Sequence, residues 1–180
     1  MEYPKFMQAM LATVAIKIDE ALLKCCCQIW QRGMQPFVEE VQEFQGQFAM
    51  QYITAGVIQG AERNGSSVLG LAGKEPFIMF SAEPLWRNAA DSPRVLTAVD
   101  KALSAMASEA KKRGLQHDYV YSNYASQFQD PMRSSYGEEQ VLFMRNVRLK
   151  YDPEQVFQHL RGGGFKLSAS VRRVDETAHL

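Results

Sequence analysis

The feature that most constrains the fold is the amphipathic stretch over residues 92–113. Apolar side chains recur along it at helical spacing, so one side of the helix would be apolar and the other charged. Asp91 or Ser92 can cap this helix, Pro93 suits its first turn, and Gly114 follows its cationic end. A single apolar stripe has to pack against another layer of structure, which predicts a layered domain. The stripe comprises Val95, Leu96, Val99, Leu103, Met106 and Ala110.

Strand patterns surround this helix. Four segments alternate or are rich in β-branched residues, namely 11–18, 47–58, 76–82 and 118–124. Asp19 caps a helical pattern after the first strand, which Gly33 and Pro36 interrupt. A helix over 137–149 and a helical turn from Asp152 follow the last strand. The order β-α-β-β-α-β plus a C-terminal helix predicts an α+β, ferredoxin-like antiparallel sheet with helices on one face.

Length and composition predict one domain over residues 1–167 and a loose tail over 168–180. Twenty basic and twenty acidic residues cancel, and no basic cluster appears, so we expect no nucleic-acid partner. Apolar runs fall well short of the ~20 residues that cross a bilayer, and the start lacks a signal-peptide pattern. We therefore expect a cytoplasmic protein without a membrane partner.

Metal and nucleophile motifs are missing from the sequence. Cys25, Cys26 and Cys27 are consecutive, and adjacent side chains on a helix point about 100° apart, so they cannot converge on one metal. The glycines of 161–165 precede no helical pattern and do not form a phosphate loop. We expect no metal and no cofactor, and we expect surface positions for the histidines, which are His117, His159 and His179.

The last third of the chain resembles a known family. Five short pieces occur in order with matching spacing, and together they resemble the C-terminal segment of fungal FAD-linked oxidoreductases of the berberine-bridge-enzyme type. The pieces are Tyr121-Ser-Asn123-Tyr124-Ala125, Tyr136-Gly137-Glu138-Glu139, Lys150-Tyr151-Asp152-Pro153, Val156-Phe157-Gln158 and Gly163-Gly164-Phe165-Lys166-Leu167.

This resemblance implies the substrate lobe of such an enzyme without its FAD-binding domain. In that family the lobe is an antiparallel sheet backed by helices, and its other face looks onto flavin and substrate. The resemblance places Tyr121, Asn123 and Tyr124 near that site, and Trp86 matches a tryptophan position of the family.

Strand parity adds further candidates for the site. A strand over 118–124 would put Tyr119, Tyr121 and Asn123 on one face, and we take Tyr121 and Asn123 as the candidate catalytic hydrogen-bond donors. Gln51 should face the open side of the sheet with Thr13, and Lys17 should lie at its rim. The alternative for each position is a packing or loop-anchoring role. The predicted substrate-binding residues are Thr13, Gln51, Trp86, Tyr119, Tyr124 and Tyr136.

Two functions remain open at this point. The first is a cofactor-independent cyclase of the Diels–Alderase or pericyclase kind in fungal secondary metabolism, which needs a shaped cavity and one hydrogen bond to a carbonyl. The alternative is a non-catalytic module that binds a hydrophobic ligand or partners an FAD-linked oxidoreductase. An uncovered apolar sheet face also predicts a homodimer or a roof of loops over a ligand pocket.

Overall fold

The computed structural model of the chain describes residues 7–63, 68–161 and 163–167. The predicted tail over 168–180 and His179 lie outside these ranges. The strands are β1 (Gln8–Ala9), β2 (Ala12–Lys17), β3 (Gln45–Ile53), β4 (Phe77–Trp86) and β5 (Gln116–His117). The α-helices are α1 (Glu20–Glu40), α2 (Ala55–Glu62), α3 (Ser92–Lys112), α4 (Pro131–Ser134), α5 (Glu138–Tyr151) and α6 (Val156–His159).

The described strands form one antiparallel sheet with β4 at its centre. β3 pairs along one side of β4, and β2 pairs along the other with Val14 opposite Phe80. β1 pairs with the end of β4 on the same side as β2, and β5 pairs with the other edge of β2. The order β3-β4-β2-β5 is that of a ferredoxin-like sheet. The predicted α+β class and antiparallel sheet are confirmed.

The two long helices α1 and α3 cover one face of the sheet and form the main core with it. Asp19 caps α1 by accepting a hydrogen bond from the Leu22 N–H at 2.7 Å, as predicted. The ring of Phe48 lies between those of Trp30 and Phe80, with centroids 4.8 Å apart on each side. This stack joins helix, edge strand and central strand. We call the sheet with α1 and α3 the body of the molecule.

The predicted break in the first helix is wrong. α1 runs without interruption from Glu20 to Glu40 and contains Pro36. A proline inside a helix costs about 3 kcal/mol or more. The buried contacts of α1 with α3 and the sheet outweigh that cost, and Gly33 lies against Ala102 of α3 within these contacts. The buried side chains along α1 are Leu22, Cys26, Trp30, Met34 and Phe37.

The strand predicted over 47–58 ends earlier than expected. β3 stops at Ile53, and residues 55–62 form α2, whose first turn is capped when the Val57 N–H donates to Thr54 Oγ1 at 3.3 Å. The alternation that defines β3 also stops at Ile53, and a threonine that precedes a helical turn is a favoured cap. α2 then lies over the second face of the sheet.

The strand predicted over 118–124 is also wrong. Only Gln116 and His117 pair with β2. Beyond them, the Ser135 hydroxyl accepts from the Val120 N–H at 2.6 Å and donates to the Val120 carbonyl at 2.7 Å. One serine thus satisfies both backbone groups that a neighbouring strand would have paired. The segment can therefore leave the sheet and turn.

Helices α5 and α6 with their connection form what we call the C-terminal arm, residues 138–160. Asp152 accepts from the Val156 N–H at 2.7 Å and so caps α6. No residue of α5 is buried. Among the helices in the described ranges, none has an apolar stretch sufficient to cross a bilayer.

Candidate functional site

The second face of the sheet divides into an apolar half and a polar half. Loop residue Leu71 and Ala61 of α2 cover the apolar half, which therefore has a roof. The polar half carries Gln47, Gln51 and Glu83. Strand parity had predicted that Gln51 faces this side, and its register opposite Met79 agrees. The buried members of the apolar cluster are Ala15, Leu71, Phe77, Met79 and Tyr119.

Beside this cluster lies a hydrogen-bonded pair formed by Tyr121 and Asn123. The Asn123 side-chain amide donates to the Tyr121 hydroxyl over 2.9 Å. A phenol that accepts one hydrogen bond still has its own proton to donate. Tyr121 is partly exposed and Asn123 is exposed, so both are open to a ligand. The pair arises from a turn, in which the Tyr124 N–H donates to the Tyr121 carbonyl at 3.0 Å, rather than from strand parity.

Two further tyrosines pack next to this pair. The rings of Tyr121 and Tyr124 meet edge to face with centroids 5.0 Å apart. Tyr119 is buried against Phe77, and burial, followed by the nearby phenols of Tyr136 and Tyr121, raises its pKa to about 12. Tyr119 therefore stays protonated at physiological pH. The predicted residues Tyr119, Tyr121, Tyr124 and Tyr136 thus come together in one phenol cluster.

Tyr136 ties this cluster to the roof. A side chain at Gly70 would meet the Tyr136 ring at 3.0 Å, and Gly70 has a φ of +69°, which other residues rarely adopt. Glycine therefore lets the loop before Leu71 rest directly on the ring. Leu71 then reaches the buried cluster on the sheet.

Thr13 is buried but its polar groups are already occupied. Its hydroxyl donates to the Phe80 carbonyl at 2.9 Å. The Thr13 backbone N–H donates to Gln129 Oε1 at 3.0 Å, and Gln129 Nε2 donates to the Thr13 carbonyl at 2.6 Å. Gln129 thus replaces a neighbouring strand at the open edge of β2. Sequence reasoning missed Gln129, which sits in a loop with no periodic signal.

A cavity of about 540 Å³ runs along this edge between β2, α3 and the loop after β5. Thr13 and Tyr119 are the predicted site residues in its lining, where they meet Gln129, Leu103 and Arg133. Tyr121, Asn123 and Gln51 do not line it. The structure therefore separates the predicted residues into an edge cavity and a phenol cluster, which share Tyr119.

Trp86 lies elsewhere. It is buried in the core on the helix side of the sheet, and its indole N–H donates to the Ser92 hydroxyl at 3.1 Å. That hydrogen bond holds the start of α3 against β4. Trp86 therefore has a packing role and does not line a pocket.

His117 is not the surface residue that the sequence suggested. Its ring stacks on Phe77 with centroids 4.0 Å apart, and its Nδ1 accepts from the Tyr119 N–H at 3.2 Å. Burial lowers the pKa of His117 to about 4, and the charge of Lys74 adds to this effect. The imidazole is therefore neutral near pH 7 and holds the backbone that leads into the phenol cluster. His159 is exposed as predicted.

Other reactive groups give no catalytic set. Within the described ranges no three metal-ligating side chains come together. Burial raises the pKa of Cys26 to about 12, which keeps it a thiol. The described residues also lack a glycine-rich loop leading into a long helix, the usual cradle for a dinucleotide phosphate. The described residues therefore do not form a phosphate site of that kind.

The chain is similar to several fungal FAD-dependent monooxygenases. It is 30% identical over 170 residues to one from Cochliobolus heterostrophus, with 92% of this chain and 33% of the relative aligned. It is 29% identical over 169 residues to one from Fusarium proliferatum, with 91% of this chain and 32% of that protein aligned. A third, from Emericella nidulans, is 38% identical over 108 residues, which is 59% of this chain and 22% of the relative.

The chain therefore spans about a third or less of the length of these relatives. No family model matches it, so the berberine-bridge-type resemblance stays a prediction. No solved structure matches it either. What these matches establish is that nearly the whole chain has homologues among fungal FAD-dependent monooxygenases, of which it corresponds to a part.

Proposed function

We propose that this chain is a substrate-binding lobe that works with a flavin-carrying polypeptide in oxidation of a hydrophobic metabolite of fungal secondary metabolism. The observation that carries the proposal is the 2.9 Å hydrogen bond from Asn123 to the Tyr121 hydroxyl beside a roofed apolar cluster. The similarity to FAD-dependent monooxygenases supports it, because the aligned region includes this site.

The ligand class follows from the chemistry of the site. The phenolic proton of Tyr121 is free to bind a carbonyl or hydroxyl oxygen, because Asn123 already occupies an acceptor position of that oxygen. Tyr124 and the surrounding apolar side chains offer contact area to an aromatic or polyene body. We therefore expect an apolar molecule with one oxygen function near its reacting end.

In this proposal the residues of the chain bind and orient, and the flavin supplies the redox chemistry when it is bound. Tyr121 and Asn123 hold the substrate oxygen in place. Tyr119 is a neutral phenol at physiological pH, and burial raises its pKa further, to about 12, so this side chain adds no negative charge to the site. Hydrogen bonds of this kind also polarise a carbonyl if charge develops on its oxygen.

A cofactor-independent cyclase is the second candidate. It is favoured by the same donor pair, because an apolar surface with one proton donor meets the needs of a polarised cyclisation without any other reactive group. The two candidates differ in whether turnover needs flavin. An enzyme of the first kind is inactive until a flavin-carrying partner is added, whereas a cyclase is active as the isolated, colourless chain.

Binding of an aromatic ketone such as 2-acetylnaphthalene tests the site itself. We expect Tyr121→Phe to weaken binding about tenfold, since it removes one hydrogen bond worth about 1–1.5 kcal/mol. Tyr124→Phe is the matched control, because no hydrogen bond of its hydroxyl carries the proposal, and its affinity should stay within about twofold. Equal affinities for the parent and Tyr121→Phe would show that the Tyr121 hydroxyl does not bind the ketone and would contradict the proposed site.

Turnover then separates the two candidates. If the isolated chain cyclises a biosynthetic intermediate without flavin, Tyr121→Phe should slow it by roughly 10²–10³-fold, the scale of losing one donor to a developing oxyanion. If the chain needs a flavin-carrying partner, product forms only when that partner is present. Flavin-free turnover would refute the substrate-lobe proposal and support the cyclase.

A further inference from the structure

We propose that the outer edge of β3 is an interface between two copies of this chain, which pair β3 with β3 antiparallel about a two-fold axis at Met50. In the described part of the chain, β3 is nine residues long and pairs with β4 on one side only. The inference uses neither the phenol cluster nor a flavin-carrying partner, so it can fail separately from the proposed function.

Hydrogen bonds on the far side of the sheet establish which backbone groups of β3 point outward. Thr13 uses its N–H and carbonyl to bond Gln129, so both point away from β4. Hydrogen-bonding groups alternate along an antiparallel strand, and Ser81, which lies opposite Thr13, therefore turns its own groups towards Ala49 of β3. The residues between which Ala49 alternates turn their N–H and carbonyl groups outward, and they include Phe48, Met50 and Tyr52.

A hydrogen bond at the start of β3 agrees with this alternation. The Trp30 indole N–H donates to the Gly46 carbonyl at 3.1 Å, so the groups of the even-numbered residues do point outward. Gly46 is thereby occupied. Among the residues that the structure describes, none bonds the outward groups of Phe48, Met50 or Tyr52. The open stretch therefore runs from Phe48 to Tyr52 and is centred on Met50.

The two edges of the sheet differ in how they are protected. On the β2 side, Gln129 occupies the backbone of Thr13, and β5 pairs with Ala15 and Ile16. Proteins usually guard an open edge with a charge, a proline or a bulge. Residues 45–53 contain no charged residue and no proline, and they pair with β4 in unbroken register. Because the β2 edge is occupied, pairing through β3 closes after two copies and does not continue into a fibre.

The side chains of the open stretch match a second copy of themselves. With the axis at Met50, each Met50 lies opposite its counterpart, and Phe48 lies opposite Tyr52 of the second copy. Phe48 packs on the helix side of the sheet, so Met50 and Tyr52 lie on that side too, where they are 54% and 53% exposed. Apolar and aromatic cross-strand pairs stabilise a sheet, and no like charges meet. The three outward residues would exchange roughly six backbone hydrogen bonds with the second copy, two for each pair.

This arrangement makes one continuous sheet from both copies. The two-fold axis is perpendicular to the sheet, so the helices of both copies lie on the same face. On the second face, Gln51 lies opposite Ala49 of the second copy, and the polar halves of the two copies join. The sequence predicted a homodimer through an uncovered apolar face, whereas the pairing proposed here uses the edge of the sheet.

Sedimentation of the isolated chain over a series of concentrations tests the interface. We expect the parent to form a dimer. Met50→Pro removes the central N–H donor of each copy and should weaken dimerisation at least about tenfold. Proline is tolerated on an edge strand where the N–H faces solvent, so the monomer should stay folded, which chemical denaturation checks. Met50→Val is the matched control, because valine keeps the N–H and suits a strand, and it should dimerise like the parent.

A pair of charged variants tests the two-fold axis itself. Met50→Lys and Met50→Glu each bring like charges together on the axis, so each alone should be monomeric where the parent is a dimer. An equimolar mixture should form a heterodimer, which native mass spectrometry detects. This pair also decides the matter if Met50→Pro fails to fold.

Three results would overturn the inference. The first is a parent chain that is monomeric throughout the concentration series, since the edge would then be left for another polypeptide. The second is a folded Met50→Pro variant that dimerises as tightly as the parent. The third is a mixture of the two charged variants that gives no heterodimer, because Met50 would then not lie opposite its counterpart.

Discussion

The body and the C-terminal arm use apolar residues in opposite ways. In the body, the stripes of α1 and α3 meet one sheet face, and side chains such as Phe80 and Val99 are fully buried. In the arm, residues of the same kind stay exposed, and α5 has no buried residue. Because burial rather than helix propensity supplies most of the stability of a protein helix, the two regions should differ sharply in how firmly they are held.

The largest difference between the two regions should appear when a large side chain is removed from each and the free energy of unfolding is measured. Phe80→Ala should lower the free energy of unfolding by about 3–5 kcal/mol, because it opens a cavity beneath the Trp30–Phe48 stack. Chemical denaturation of the isolated chain measures this loss.

Phe157→Ala in the arm is the matched control for that experiment. Its ring is mostly exposed, so we expect a change within about 0.5 kcal/mol. A loss of several kcal/mol at Phe157 would mean that the arm is part of the cooperative core and would contradict the division.

A smaller effect is expected where the loop after β5 is fastened to the body. Ser135→Ala should cost about 1–3 kcal/mol, since it leaves the Val120 N–H and carbonyl without their partner. Ser122→Ala, at a half-buried serine of the same loop, should cost little. If both variants match the parent in denaturation, water takes over the role of the Ser135 hydroxyl, and this attachment is weaker than its geometry suggests.

The smallest effect is a dependence of body stability on pH that comes from His117. Its pKa is about 4 in the folded chain against an ordinary value of 6.5, so unfolding between these values takes up a proton. The stabilisation is complete above about pH 6.5 and is lost as the pH falls towards 4. After discounting for partial exposure we expect about 1 kcal/mol.

His117→Phe should remove this slope while keeping a ring against Phe77, whereas replacement of the exposed His159 by Gln should not change it. The charged groups around His117 are Lys74, Asp118, Lys17 and Glu75. An unchanged slope in His117→Phe would assign the pH dependence to one of these groups instead.

The body could be predicted from the sequence because its signals are local and agree with each other. The stripe of 92–113, the cap at Asp19 and the β-branched run at 11–18 each predicted an element that the structure contains. The failures came where tertiary contacts override local preference. Pro36 suggested a break, but the packing of α1 keeps the helix intact.

The site was predicted less well, for a related reason. The resemblance in the last third brought Tyr121, Asn123, Tyr124 and Tyr136 together as candidates, and they do cluster. The predicted strand over 118–124 was wrong, because a turn rather than a strand positions these side chains. The side chains of Ser135 and Gln129 hydrogen-bond to backbone groups that are distant in sequence. Such contacts leave no periodic pattern, so the sequence could not predict them.

The central claim is that the body folds as a firm unit while the arm is held only weakly against it. Amide hydrogen exchange of the isolated chain tests this claim most directly. Exchange rates report the free energy of local opening for each segment. We predict that amides of α1 and α3 exchange only through global unfolding, and that α5 and α6 exchange at least about 100-fold faster, a gap of about 2.7 kcal/mol or more. Protection of α5 equal to that of α3 would contradict the account.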